Sequence, residues 1–281
     1  MRGARVAVWG VLLAEISLLV ALAAGARPPY GVVLAAEALV VAAVGWRAAV
    51  FGGRYAAERR AGAGRRAAWA GTVRALVPPV PRRLIAHEAR AVGSIGLWVL
   101  RRRHGVGRGA YAAGYTGPQT AVMWSLIGVA LVETVVLAVV LPWPLAHRVM
   151  LVVDVYGVLM VTGLHAACVT RPHVVEPDGS LRIRYGALFE LRVAAGEITG
   201  VRVDRRFPVG KLVQPREDGS LELIVGGQTT VAVELAGPLA YTRPLGGRGT
   251  AHTVRFHADD PQALVAAVRW AQAQAQTQAQ T

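Results

Sequence analysis

The run TAVMWSLIGVALVETVVLAVVL (120–141), the connection PWPLAH (142–147) and the run RVMLVVDVYGVLMVTGLHAACV (148–169) decide how this chain is laid out. Each apolar run is about twenty residues long, the length that carries a helix across a hydrocarbon core about 30 Å thick. Each also holds one acid, Glu133 or Asp154. Soluble core helices are shorter and more strictly patterned. The two runs therefore read as a transmembrane hairpin.

Composition agrees. The chain has 281 residues, 54% of them hydrophobic, with a formal net charge of +14. That is more apolar side chain than one soluble domain needs, with enough sequence left for a separate soluble module. Arginine carries nearly all the positive charge, since Lys211 is the only lysine. The single cysteine, Cys168, excludes an intrachain disulfide and any zinc site built on several thiolates.

Working outward toward the start, two further apolar stretches form an earlier hairpin over 1–51, with spans at about 6–24 and 31–51. They carry one acid each, Glu15 and Glu37. Arg2 and Arg5 followed by an apolar stretch and Ala24-Gly25-Ala26 also imitate a secretory signal, but the stretch is too long for a usual signal core. Four spans are predicted.

The segment 52–119 is a basic loop, with thirteen arginines against two acids, Glu58 and Glu88. Arginine near a span resists translocation, which predicts a cytoplasmic loop, both termini inside and a multi-pass protein. The dominance of arginine, alanine, valine and glycine resembles the codon bias of a high-GC bacterium, so the expected membrane is a bacterial inner membrane. Val77-Pro-Pro-Val-Pro81 breaks any helix, and a new amphipathic helix is predicted at about 82–103. Its apolar middle is bracketed by Arg82, Arg83, Arg90, Arg101, Arg102 and Arg103. These residues are candidates for contacts with anionic lipids of the inner leaflet, each contributing about 1 kcal/mol. Equally, they can fix topology while the apolar face packs on neighbouring protein. No nucleic-acid motif accompanies them, so nucleic acid is not an expected partner.

Past Val169 the pattern changes to short alternating runs separated by glycine turns: Leu181–Tyr185, Leu188–Val193, Ile198–Val203, Leu221–Val225, Thr229–Leu235 and His252–His257. Period two with turn punctuation predicts antiparallel strands. A last helix is predicted from Asp259-Asp260-Pro261 to Trp270, where aspartate can cap and proline suits the first turn. The Gln-Ala-Thr tail 271–281 is expected to be disordered.

Strands closed by one C-terminal helix resemble the bacterial PH-like domains. The likeness lies in Arg182–Val193, in Gly196-Glu-Ile-Thr-Gly-Val-Arg-Val203 and in Asp259-Asp-Pro-Gln-Ala-Leu-Val265. The whole chain resembles high-GC bacterial four-span membrane proteins with such a C-terminal module, here over 170–270. The resemblance implies an α+β or all-β barrel or sandwich capped by a helix, and carries no activity with it.

Four carboxyls, Glu15, Glu37, Glu133 and Asp154, are the candidate intramembrane polar layer. Counted from the outer ends of their spans they lie roughly 8 to 14 Å deep, all in the outer half of the bilayer. A charged acid near the bilayer centre costs at least about 2.5 kcal/mol, so the four are expected to face one another or a wet cavity. They can act as a cation or proton pathway, or as neutral interhelical hydrogen-bonding groups; the second is the preferred reading. His165, Cys168 and His173 bring metal-ligand types together but lack a fourth ligand, so no metal is expected. No nucleophile is placed beside a base, and no phosphate-cradling loop is present. The sequence predicts neither an enzyme nor a cofactor. The expected role is that of an interaction or assembly module bound to the bilayer, with a protein partner or a second copy.

Overall fold

The computed structural model describes residues 29–140 and 144–279. The chain divides into two compact units, Met1–Pro79 and Val80–Thr281. The predicted first span at 6–24, and Glu15 with it, lies outside the described residues.

In the first unit, helix α1 (Tyr30–Arg60) contains the predicted span 31–51 and continues past it. Helix α2 (Arg65–Leu76) follows a turn in which Gly62 takes φ +89°, a conformation that L side chains rarely adopt. The two helices pack through Phe51 and Trp69, whose rings meet edge to face at 4.8 Å. α2 falls within the predicted basic loop, where no helix is marked beyond a run of good helix formers.

Helix α3 (Pro79–Val99) starts three residues before the predicted boundary and ends four before it. Pro79 and Pro81 fit in its first turn, where the missing N–H groups have no helical partner to lose. Arg101, at φ +53°, turns the chain out of the helix. Strand β1 (Tyr111–Ala113) precedes the hairpin formed by α4 (Gly117–Val140) and α5 (Pro144–Thr170). Among the described residues, three helices are long and apolar enough to cross a membrane: α1, α4 and residues His147–Thr170 of α5. Their apolar side chains are largely exposed, with Val129 at 64% and Val139 at 82%. Water disfavours such a surface by roughly 25 cal/mol per Å², whereas hydrocarbon accepts it.

The remainder forms two sheets. β1, β2 (His173–Val175), β3 (Leu181–Tyr185) and β4 (Phe189–Val193) pair antiparallel in that order. β5 (Ile198–Arg206), β6 (Val213–Pro215), β7 (Ser220–Leu223), β8 (Thr229–Thr242) and β9 (Arg248–Phe256) form the second sheet in the order β5-β8-β9-β7-β6. Leu181, Ile183 and Val193 from one sheet meet Val231, Val233, Val254 and Phe256 from the other. Leu264 and Val268 of α6 (Pro261–Ala279) close the core. Asp260 caps α6 as its sequence predicts, its carboxylate accepting the Ala263 N–H at 2.9 Å.

Four expectations are corrected. The sheets are not wholly antiparallel: β7 and β9 run parallel, because β9 turns back antiparallel to β8 and lies between β8 and β7, so that it runs in the same direction as β7. The sheet domain does not begin at 170, since β1 enters from before the hairpin and pairs Tyr111–Ala113 with Val175–His173. The arginines 101–103 lie beyond the helix predicted to contain them. Finally, α6 continues to Ala279 where a disordered tail from 271 was expected. Ala271 is buried in the core, and alanine and glutamine propagate a helix that packing has already started.

Candidate membrane-proximal site

α3 has two apolar faces. Ala91 and Ser94 are buried on one, with His87 and Trp98 half-buried beside them. A Cβ on Gly163 of α5 would lie 3.0 Å from the Ala91 backbone, so the glycine permits the close crossing of the two helices. At the same crossing the Trp98 ring stands 5.9 Å from Trp124 of α4 and 5.7 Å from His165 of α5. Leu84, Ile85, Val92 and Val99 occupy another sector of α3, about 100° wide by helical spacing, and all four are exposed.

The six candidate arginines divide into groups. Arg83 lies against Gly246 in the β8–β9 turn, and Arg90 donates to the Ala187 carbonyl at 3.4 Å. His87, between them, reaches the carbonyls of Ala187 and Pro244 at 2.8 and 3.0 Å. Arg83 and Arg90 thus contact neighbouring protein, and Arg82 is half-buried. Arg101, Arg102 and Arg103 are exposed. They lie between Trp98, beside His165, and His104, whose N–H donates to the Thr170 carbonyl at the end of α5 at 2.8 Å. The triplet therefore sits at the sheet-side end of a span. Positive potential accumulates there: burial, then the guanidiniums of Arg171 and Arg184, hold the His104 pKa below its ordinary value.

The sheets are joined to the start of α4 and the residues just before it by a ring of hydrogen bonds. Tyr115 is fully buried, and its hydroxyl accepts the Gly186 N–H at 2.6 Å. The Tyr185 hydroxyl donates to Gln119 Oε1 at 3.0 Å. Asp259 accepts the Gly117 N–H at 2.9 Å, and its own N–H donates to the Gly114 carbonyl. In the turn between β7 and β8, Gly226 at φ +55° comes so close to Pro118 that a Cβ would meet it at 2.5 Å. Tyr115 stacks on His173 at 4.6 Å, and Phe256 meets that imidazole edge-on at 4.7 Å.

His173 is spoken for. Its Nδ1 accepts the Arg184 N–H at 3.0 Å and its Nε2 donates to the His257 carbonyl at 2.8 Å. Burial lowers its pKa to about 3, so the ring is neutral at physiological pH. It has no lone pair left with which to share a metal with His165 and Cys168. Those two residues instead line a cavity of about 150 Å³ with Gln119, Met123, Leu164 and Leu212, between the span ends and the sheets. Among the described residues, no group of three histidine, cysteine or acidic side chains is placed to hold a metal.

The acids of the predicted polar layer are placed as follows. Glu37 is exposed on α1, in the first unit, and Glu133 is exposed on α4. Asp154 is half-buried in a narrow crevice between α4 and α5 with Thr134 and His147. Thr134 faces that crevice, and Glu133, one residue and about 100° earlier on the helix, does not line it. The hairpin thus does not bring its two acids into one crevice. Sequence reasoning missed Tyr115, Gln119 and Gly226; an aromatic and an amide at the mouth of a span were the available signals.

Comparison with protein-family models, curated proteins and solved structures finds no match for the chain.

Proposed function

We propose that this is a multi-pass inner-membrane protein whose sheet domain, a PH-like barrel closed by α6, serves as an interaction or assembly platform at the cytoplasmic face. A fourth span over 6–24 would place both termini on that face, in keeping with the arginine bias of 52–119. The ring of hydrogen bonds from Tyr115, Gln119 and Asp259 carries the proposal, because it fixes the domain's orientation at the start of α4. A domain held in that way presents the same surfaces to every partner, which lowers the ordering cost of association. Arg101–Arg103 would contact anionic headgroups, and the outermost strands β4 and β5 would meet a protein partner or a second copy. The role is non-catalytic.

The acids support this reading better than a carrier. Glu133 and Asp154 line no common crevice, and Asp154 with Thr134 suits hydrogen bonding between helices.

A photo-crosslinking residue at Arg192 or Arg202, exposed on β4 and β5, tests the platform in native membranes. The expected product is one discrete protein adduct or a self-adduct; adducts with lipid alone would contradict it. For the carrier, Glu133→Gln and Asp154→Asn are expected to leave ion flux and metal content in reconstituted vesicles unaltered. A loss of flux in either variant would reinstate that alternative.

A further inference from the structure

The loop between β5 and β6, Phe207-Pro-Val-Gly-Lys-Leu212, carries two large apolar side chains two residues apart that are more exposed than Leu245 or Trp270, the next most exposed in the sheet domain. Phe207 is 77% and Val209 92% exposed. A soluble domain has no reason to display such a pair on a protruding loop, and large exposed apolar groups mark interaction surfaces. Both ends of the loop are tied near the span ends. Leu212 shares the cavity with Met123 of α4 and Leu164 of α5, and Val209 is three residues away, at most about 10 Å of extended chain. At the other end, Arg206 pairs with Thr229, three residues beyond Gly226, which abuts Pro118 in the first turn of α4. Gly210 lies against Gln214, and the Val209 carbonyl accepts from Arg216 at 3.1 Å, so the loop has a defined fold.

Cationic side chains flank the apolar pair: Arg205 and Arg206 before it and Lys211, the only lysine of the chain, after it, all three exposed. Apolar tips bordered by cations match the boundary between headgroups and acyl chains of an anionic leaflet. We propose that Phe207 and Val209 insert into the leaflet beside α4 and α5, with Arg205 and Lys211 on its phosphates. This gives the domain a second lipid contact, separate from Arg101–Arg103. It rests on the membrane reading above but not on the existence of a protein partner. Lipid is favoured over a second copy because Leu212 shares its cavity with Leu164 of α5, itself exposed on the apolar hairpin, and because the loop's flanks are cationic.

The test uses the full chain in vesicles of mixed zwitterionic and phosphatidylglycerol lipids, with Val209→Cys carrying an environment-sensitive fluorophore. Gly196→Cys is the control, since a Cβ there meets nothing within 4 Å and it lies about 30 Å away along β5. Cys168 is buried, and Cys168→Ala in both variants removes any background labelling. At Val209 the emission should shift to the blue, with quenching by a shallow acyl-chain spin label at least about twofold that at Gly196. Arg205→Gln with Lys211→Gln should reduce that quenching. Equal quenching at the two sites by aqueous iodide would overturn the proposal. Blue-shifted emission without lipid quenching would also overturn it, assigning the loop to a contact between copies. Failure here leaves the adducts at Arg192 and Arg202 as an independent measure of the platform.

Discussion

His173 shows what one buried side chain demands of the fold. Its ring is held between Tyr115 and Phe256, and both nitrogens are committed to backbone groups of Arg184 and His257. Above about pH 6.5 the ring is neutral in both the folded and the unfolded chain, so it adds no pH dependence. Below that value the unfolded chain binds a proton that the folded one refuses until about pH 3. Folding stability should therefore fall by about 1.4 kcal/mol per pH unit across that window. His257, whose pKa is also lowered by burial, acts in the same direction. Thermal unfolding in detergent at pH 7.5 and pH 4.5 measures the effect. The expected result is a marked loss at the lower pH that His173→Gln reduces; an unchanged midpoint would contradict the placement of the ring. Little of this was legible in the sequence, where His173, grouped with His165 and Cys168, lacked a fourth ligand for a metal and no other role was marked. What decides its role is the pairing of β2 with β3 and the approach of β9, contacts up to 84 residues apart in the chain.

At the scale of elements, the helix crossing at Gly163 and the arginine triplet can be separated by mutation. Gly163→Val pushes a side chain into the Ala91 backbone and should cost about 1 to 3 kcal/mol, as overpacking does. Gly157→Val, where a Cβ meets nothing within 4 Å, should cost much less. Equal midpoints for the two variants in a thermal melt would disprove the close crossing. Replacing Arg101, Arg102 and Arg103 together by glutamine should remove up to about 1 kcal/mol of anionic-lipid attraction per residue. Native mass spectrometry would then count fewer retained anionic lipids. Arg83→Gln with Arg90→Gln should instead lower stability and leave lipid retention nearly intact, because those two contact the β8–β9 turn and the Ala187 carbonyl. Sequence pattern located the long elements well: α4, α5, β3, β4 and the start of α6 fall within a few residues of their predicted positions. It missed β1, β2 and β6, each only three residues long, since a period of two cannot be read from so short a run. It also stopped α6 early, because the alanine and glutamine tail has no apolar stripe to mark it as helix.

For the whole molecule, the hydropathy of the sequence announced helices fit for a membrane, and the alternation past Val169 announced strands. How the second unit is joined was hidden. The strand that starts its first sheet, Tyr111–Ala113, lies on the far side of the hairpin from its partner His173–Val175, so no local pattern connects them. This threading makes the hairpin and the sheets one folding unit: α4 and α5 leave and re-enter the sheet domain at neighbouring points. The candidate site was legible to the extent that composition could show it. The arginines marked a basic face, but only the fold separates those that contact protein from those exposed at a span end. The account depends above all on α5 crossing the bilayer with the sheets on the cytoplasmic side. Single cysteines at Arg148 and at Arg192, in a chain carrying Cys168→Ala, test this with a membrane-impermeant maleimide applied to intact cells. The account predicts labelling of Arg148→Cys from outside and of Arg192→Cys only after permeabilisation. Labelling of both positions from the same side would contradict it.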